Sequence, residues 1–544
     1  MAKKLYKVNN VTVDLSCYYG NGQYSDGDVE NEILEALKQG KADELLHSDN
    51  RWPVLYHLSS IRHNLLEGIN LKKDATVLEI GCGCGAITGV LCKKVKSVDA
   101  VEISPRRAEI AAYRNQEYNN LTIHVGNLND MKFGKKFDYV TLIGVLEYAG
   151  SFTKTDNPYV DFLQNCRKFL KDDGVLILAI ENRLGMKYWS GAREDHTGGY
   201  FDGITGYTKT TAVRTFARKE LKNLLQIAGY GEQKWFYPHP DYKMPFDIFS
   251  DEHTPETKDV YGLTNCEYDM DRLELFSELN ATIGIIEAGL YQEFANSFLV
   301  LCNNYNADDI LPQAEYIHYS IDRKKETGLY TKILYNSDKK VIYKCARNKE
   351  SRALLKNIAE NCKILSGIYG KEHVAQCRLI NDDLLEMEYI EGPTFQELIF
   401  QATEEAGIYG FVKYLEFYCN NILMGDNNDN KKPLFNFNSN NRIINFDLNL
   451  DNIIYSNDKY VIIDYEWLLP SVPAKFILYR MFRHMIVNFK EEIIKYNIDE
   501  AVLWNFMGIN YELKEKYISW DKDFYSIVLD TYRFRYIKKR QILG

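Results

Sequence analysis

The sequence predicts an α/β chain in which a Rossmann-like parallel sheet is followed by a separate, two-lobed α+β domain. Three observations predict it. Residues 77–85 read VLEIGCGCG, an apolar run that breaks into three alternating glycines, and Glu102 follows 17 residues after Gly85 in the run SVDAVEIS. Residues 445–467, NFDLNLDNIIYSNDKYVIIDYEW, place Asp447, Asn452 and Asp464 around a short hairpin. The chain has 544 residues, more than one core usually organises.

The elements follow in order. Residues 1–50 read as an N-terminal extension, with an amphipathic helix over 26–38. Residues 52–68 carry helical apolar spacing through Leu55, Leu58, Ile61 and Leu65. That helix either offers Tyr56, His57 and Arg62 to a ligand mouth or leaves them as ordinary surface residues. The apolar run 75–80 supplies a buried strand, and residues 86–95 continue as a helix behind the turn. Gly81, Gly83 and Gly85 let the backbone turn tightly and approach a ligand closely. Glu102, at the tip of a second buried strand, can accept hydrogen bonds from two vicinal ribose hydroxyls. A dinucleotide-binding unit shares this outline.

Glu79 separates the alternatives, because dinucleotide folds rarely carry an acid just before the turn. With it, the run resembles the E/D-x-G-x-G-x-G motif of the Rossmann-like class I S-adenosylmethionine-dependent methyltransferases. Residues 125–130 (VGNLND) and 137–150 (FDYVTLIGVLEYAG) fall where that family's adenine loop and fourth strand belong. Residues 171–183 match its fifth strand and 294–302 its last, with an insertion near 239–292. The resemblance implies S-adenosylmethionine as methyl donor, held by Glu79, Gly81, Gly83, Gly85, Glu102, Asn127, Leu128 and Gly144.

The methyl acceptor is expected at the glycine-broken loop 181–203, which follows the fifth strand at the carboxyl edge of the sheet. His196 is the candidate base, because an imidazole titrates near neutral pH and Glu194 or Asp195 could orient it. Arg183 and Lys187 suggest an anionic acceptor. For each of these residues a loop-stabilising hydrogen bond is the plainer alternative.

Residues 304–313 read as a polar linker, placing the first domain at 51–303 and the second at 314–544. Asparagine-dense residues 426–442 read as a surface loop or hairpin. The spacing D-x-x-x-x-N followed by I-D-x-E resembles the catalytic loop of small-molecule kinases such as aminoglycoside phosphotransferases and choline kinases. The resemblance implies Asp447 as catalytic base, Asn452 and Asp464 as Mg²⁺ ligands, and ATP as donor. Residues 330–346 read as a hairpin that brings Lys344 to the ATP phosphates, with Glu350 or Glu360 as its partner, and residues 384–399 resemble a hinge. Asn445 stands where these kinases carry histidine, no glycine-rich loop precedes Lys344, and no activation segment follows Asp464.

A net charge of −10, without basic stretches interleaved with aromatics, argues against nucleic acid as substrate. The eleven cysteines lack zinc spacing, and Cys82 and Cys84 read as small residues of the turn rather than a redox pair. Without a signal core or an apolar run of roughly 18 residues, the protein is expected in the cytoplasm. The basic run 533–541 reads as a solvated helix end or as a contact with the membrane's inner face.

In order and motifs the two domains resemble the bifunctional kinase-methyltransferases that terminate bacterial O-antigen polymannose chains. The resemblance implies phosphorylation and methylation of a surface polysaccharide or phosphorylated sugar, with glycosyltransferases as partners. Two rival readings stand beside it: an active methyltransferase whose kinase-like domain only binds, and a scaffold for glycan assembly.

Overall fold

Runs of Val, Ile and Leu at residues 76–80, 97–101 and 137–143 are apolar on both faces, the composition of parallel strands covered by helices on each side. The computed structural model describes residues 5–20, 25–208, 213–260, 270–303, 311–321, 323–336, 339–423, 443–470, 473–488 and 490–530. It divides into a first unit ending at 321 and a second unit spanning 322–531.

The first unit holds β1 (Leu5–Val8), β2 (Val11–Asp14), β3 (Thr76–Ile80), β4 (Ser97–Glu102), β5 (Leu121–Val125) and β6 (Phe137–Ile143). It continues through β7 (Leu170–Glu181), β8 (Glu232–His239), β9 (Asp247–Ser250), β10 (Ser297–Asn303) and β11 (Tyr316–Tyr319). Their order is β1-β2-β5-β4-β3-β6-β7-β10-β8-β9-β11. Neighbours from β2 to β7 run parallel, whereas β10 is antiparallel to both β7 and β8. The order reverses where β3 lies between β4 and β6, which opens a crevice beyond the carboxyl ends of the strands. This is a Rossmann-like sheet with a mixed edge.

Helices Thr88–Lys94 and Pro105–Arg114 form the connections from β3 to β4 and from β4 to β5. Ser104 caps the second, its Oγ accepting the Arg107 N–H, and Pro105 occupies the first turn, where no donor is needed.

Two boundaries differ from expectation. Residues 5–14, expected within an extension, form a hairpin whose β2 pairs with β5, because Val11 and Val13 find a fully buried place at the sheet edge. Helix Val29–Lys38 likewise packs Ile33 into a cluster with Cys84 and Ile110. At the other end, β11 pairs with β9 through Ile317 and Ile248, and the Tyr319 hydroxyl accepts the Gly68 N–H. The first unit therefore continues past residue 303 to 321. The insertion near 239–292 contains β9 and helix Glu278–Glu287.

In the second unit, β12 (Leu329–Asn336), β13 (Lys339–Ala346), β14 (Cys377–Asn381) and β15 (Leu384–Glu388) form an antiparallel sheet ordered β12-β13-β15-β14. Helix Arg352–Tyr369 buries Leu355, Ile358 and Leu365. A mainly helical part follows, opened by helix Phe395–Ala406 with a Thr394–Glu397 capping box. It carries β16 (Ile443–Asn445) paired with β19 (Leu468–Pro470), and between them the hairpin of β17 (Ile453–Ser456) and β18 (Lys459–Ile462). Residues 426–442 and 533–541, and most of the expected linker, lie outside the described residues. Among those described, no helix is long and apolar enough to cross a membrane.

Candidate functional site

The three glycines after β3 all take positive φ, +73° at Gly81, +54° at Gly83 and +74° at Gly85, but for different reasons. A Cβ on Gly81 would lie 2.5 Å from Val145 Cγ2, and one on Gly85 would lie 2.9 Å from Ala111 Cα. Gly83 faces open space, the position at which a ligand backs onto bare main chain. Glu102 Oε2 accepts the Gly83 N–H at 2.9 Å and Oε1 accepts that of Ser104 at 2.9 Å, which fixes the carboxylate at the mouth of the turn.

Glu79 is buried, and its Oε2 has no hydrogen-bond partner among the described residues. Burial raises its pKa to about 7, with the Glu102 charge adding to the effect. Gly83 offers space, Glu102 offers acceptors, and Glu79 offers an uncompensated carboxylate, a set that fits a ribose and an α-ammonium group. Asn127 and Leu128 line the same cavity, as do Gly144 and, from the N-terminal helices, Tyr56, His57 and Arg62. The cavity encloses about 480 Å³. Cys82 and Cys84 also line it, but burial pushes both thiols up, so neither is a thiolate at neutral pH.

At the far end of the cavity stand Glu147, Tyr148, Asp195, His196, Tyr242 and Lys243. The 3₁₀ turn after β6 carries Glu147, and the last residue of β7 is Glu181. Lys243 Nζ lies 2.6 Å from Glu181 Oε1 and 2.5 Å from Asp195 Oδ1. Lys187 Nζ lies 2.9 Å from Asp195 Oδ2 and 3.0 Å from Asp241 Oδ2. His196 Nδ1 is 3.3 Å from the Tyr148 hydroxyl, and Nε2 is 3.6 Å from Glu181 Oε2.

Several sequence expectations change here. Glu194 holds the backbone N–H groups of His196 and Thr197, and Asp195 is taken up by the two lysines, so neither orients the imidazole. Burial opposes a charged imidazole, yet the Glu181 and Glu147 carboxylates outweigh it and raise His196 to about 9. Those carboxylates favour the protonated imidazole over the neutral form that the expected base requires. Arg183 pairs with Glu220 at 2.8 Å and bonds the Gly203 carbonyl, and Lys187 faces two carboxylates, so the expected anion-binding pair is already occupied. Sequence reasoning passed over Glu147, Glu181, Asp241 and Lys243. The available signal was that apolar strand runs ended in LIGVLE and LILAIE, each delivering an acid to the crevice.

In the second unit, Lys344 on β13 lies 2.7 Å from Asp464 Oδ1 and 2.8 Å from Glu466 Oε1. Arg323 reaches Glu466 Oε2 at 2.5 Å. The expected partners of Lys344 do not meet it: Glu360 is exposed and pairs with Lys363, and Glu350 is exposed. Asn452 Nδ2 donates to the Asp447 carbonyl at 2.9 Å, and Asn445 Nδ2 to the Asp464 carbonyl at 2.7 Å, which ties the two halves of the motif together. Burial, then the Asp464 and Glu466 charges, push Asp447 up to about 7.

Residues 78–176 match the family model described as "Methyltransferase domain". The chain is 31% identical over 85 residues to a ribosomal RNA small subunit methyltransferase A of Syntrophus aciditrophicus, covering 16% of this chain and 28% of that one. It is 28% identical over 166 residues to a ubiquinone biosynthesis O-methyltransferase of Haemophilus ducreyi, covering 28% of this chain and 66% of that one. The matches thus span less than two thirds of either relative. Among solved structures, phosphoethanolamine N-methyltransferase 1 of Haemonchus contortus, in complex with phosphoethanolamine and S-adenosylhomocysteine, aligns at a TM-score of 0.29. That alignment has 14% identity and covers 54% of each chain. Taken with the strand order, the domain match identifies the first unit as a Rossmann-like methyltransferase fold, with the matched domain at residues 78–176.

Proposed function

We propose that the first unit is an S-adenosylmethionine-dependent methyltransferase and that the second is a small-molecule-kinase-like domain acting on the same acceptor. The observation that carries the first part is the glycine cradle, with Gly83 open to the cavity between Glu79 and Glu102. Bound S-adenosylmethionine supplies an electrophilic sulfonium methyl. The chain's task is then to hold donor and acceptor in line and to keep water out. Glu102 would take the ribose hydroxyls and Glu79 the α-ammonium, with Asn127 and Leu128 beside the base and Gly144 beneath the methyl-transfer end. Tyr242 packs against Gly144 so closely that a Cβ there would lie 2.7 Å from its hydroxyl.

The kinase-like reading rests on the order and convergence of Lys344, Asp447, Asn452 and Asp464 around one cluster. Asp447 would accept the hydroxyl proton, Asn452 and Asp464 would hold Mg²⁺, and Lys344 would meet the phosphates of ATP. The acceptor we propose is a bacterial surface polysaccharide or phosphorylated sugar, and glycosyltransferases of its assembly are the proposed partners. A phosphate made by the second unit would be a ready oxygen nucleophile for the first. The alternative, a binding module without catalysis, has one observation in its favour: Lys344 is already neutralised by two carboxylates.

Methyl incorporation into an unphosphorylated glycan, with and without ATP, tests the coupling. We expect ATP-dependent methylation that is lost in Asp447→Asn. Equal methylation by that variant without ATP would remove phosphate as the acceptor. A protein whose melting temperature does not rise with S-adenosylhomocysteine would remove the methyltransferase itself.

A further inference from the structure

Buried ionisable groups crowd together beside the cavity around Glu147 and His196. Glu147, Glu181, Asp195 and Asp241 are all buried or nearly so, and the lysines that face them are Lys187 and Lys243. A phosphate would meet carboxylates there, which repel it unless a cation lies between. One oxygen of Glu147, a residue 1% exposed, has no hydrogen-bond partner among the described residues. Donor atoms of Glu147, Glu181 and His196 lie within 4.8 Å of one another, and His196 Nε2 to Glu181 Oε2 is 3.6 Å. Two ligands at about 2.1 Å from a tetrahedral ion stand roughly 3.4 Å apart, so this separation suits a shared metal.

We propose that Glu147, Glu181 and His196 bind one divalent first-row cation, Mn²⁺ or Zn²⁺, which bridges the protein to an oxygen of the methyl acceptor. The mixed carboxylate and imidazole donors suit these ions. The surrounding groups are arranged as outer supports. Lys243 holds Glu181 by Oε1 and leaves Oε2 facing His196, while the Tyr148 hydroxyl meets Nδ1 and leaves Nε2 for the metal. The ion displaces the proton from His196 Nε2 and gives an acceptor oxygen a place to coordinate. The role at the acceptor rests on the methyltransferase reading; the binding does not.

The full chain carrying Asp464→Asn, which silences the candidate Mg²⁺ site of the second unit, is stripped with chelator and titrated calorimetrically with MnCl₂ and with ZnCl₂. S-adenosylhomocysteine binding in the same preparation reports that the cavity is folded. We expect one equivalent of metal, weakened at least tenfold by Glu147→Gln and by His196→Gln. A Co²⁺ visible spectrum should change in His196→Gln. If Glu147→Gln loses S-adenosylhomocysteine binding, Glu147→Asp replaces it and should still weaken the metal severalfold. No metal bound at about 1 mM, or an equivalent untouched by these variants, overturns the inference. Metal bound without S-adenosylhomocysteine would strike the methyltransferase reading instead, which separates the two failures.

Discussion

Glu79 and Glu102 stand on adjacent parallel strands, with Glu79 opposite Ala100: burial pushes both carboxyls up, but Glu79 has an unsatisfied oxygen whereas Glu102 is pinned by two backbone N–H groups. With a folded pKa of about 7 against about 4.5 unfolded, Glu79 is accommodated without penalty at low pH. Stability is then lost as pH rises from about 4.5 to about 7, where the unfolded carboxyl ionises and the buried one resists. An ammonium group on the ligand reverses this, because it favours the ionised form. The rise in melting temperature with S-adenosylhomocysteine should therefore be larger at pH 8 than at pH 6, and Glu79→Gln should abolish the difference. For Glu102→Gln we expect S-adenosylhomocysteine affinity to fall roughly tenfold to a hundredfold, on the scale of a charge-assisted hydrogen bond of about 1.5–3 kcal/mol. Calorimetric titration measures it, and unchanged affinity would remove the ribose contact.

At the scale of elements, the turn after β3 separates packing from binding. Gly85→Ala forces a Cβ onto Ala111 while keeping a left-handed φ, so a stability loss of about 2–4 kcal/mol is expected, read as a lower melting temperature. Gly83→Ala meets no atom within 4 Å and should cost only about 1–2 kcal/mol, yet weaken S-adenosylhomocysteine more than Gly85→Ala does. Equal effects of both variants on the ligand would argue that Gly83 does not face it. These elements were legible because a buried parallel strand, a glycine turn and an acid at the next strand tip leave period and composition in the sequence. The edge hairpin β1–β2 was not, since its partner β5 lies more than a hundred residues away and a four-residue strand carries little pattern of its own.

For the whole molecule, the two units should melt as separable cooperative blocks. Scanning calorimetry is expected to resolve two transitions, with S-adenosylhomocysteine raising one and ATP with Mg²⁺ raising the other. A single transition raised by either ligand would contradict that independence. The sequence by itself determined the α/β sheet, the glycine cradle with its two acids, and the later Asp447, Asn452, Asp464 motif, because each is a local pattern of apolar period, backbone freedom and spacing. Only the tertiary structure decided what His196, Arg183 and Lys187 do, and where Lys344 finds its counter-charges. Ion pairing depends on which distant carboxylates the fold brings within about 4 Å, and Glu147 after β6, Glu181 at the end of β7, Asp195 in the loop beyond it and Asp241 between β8 and β9 gather around Lys187, Lys243 and His196. That convergence surrounds the expected base with carboxylates and occupies the expected anion-binding pair with ion pairs.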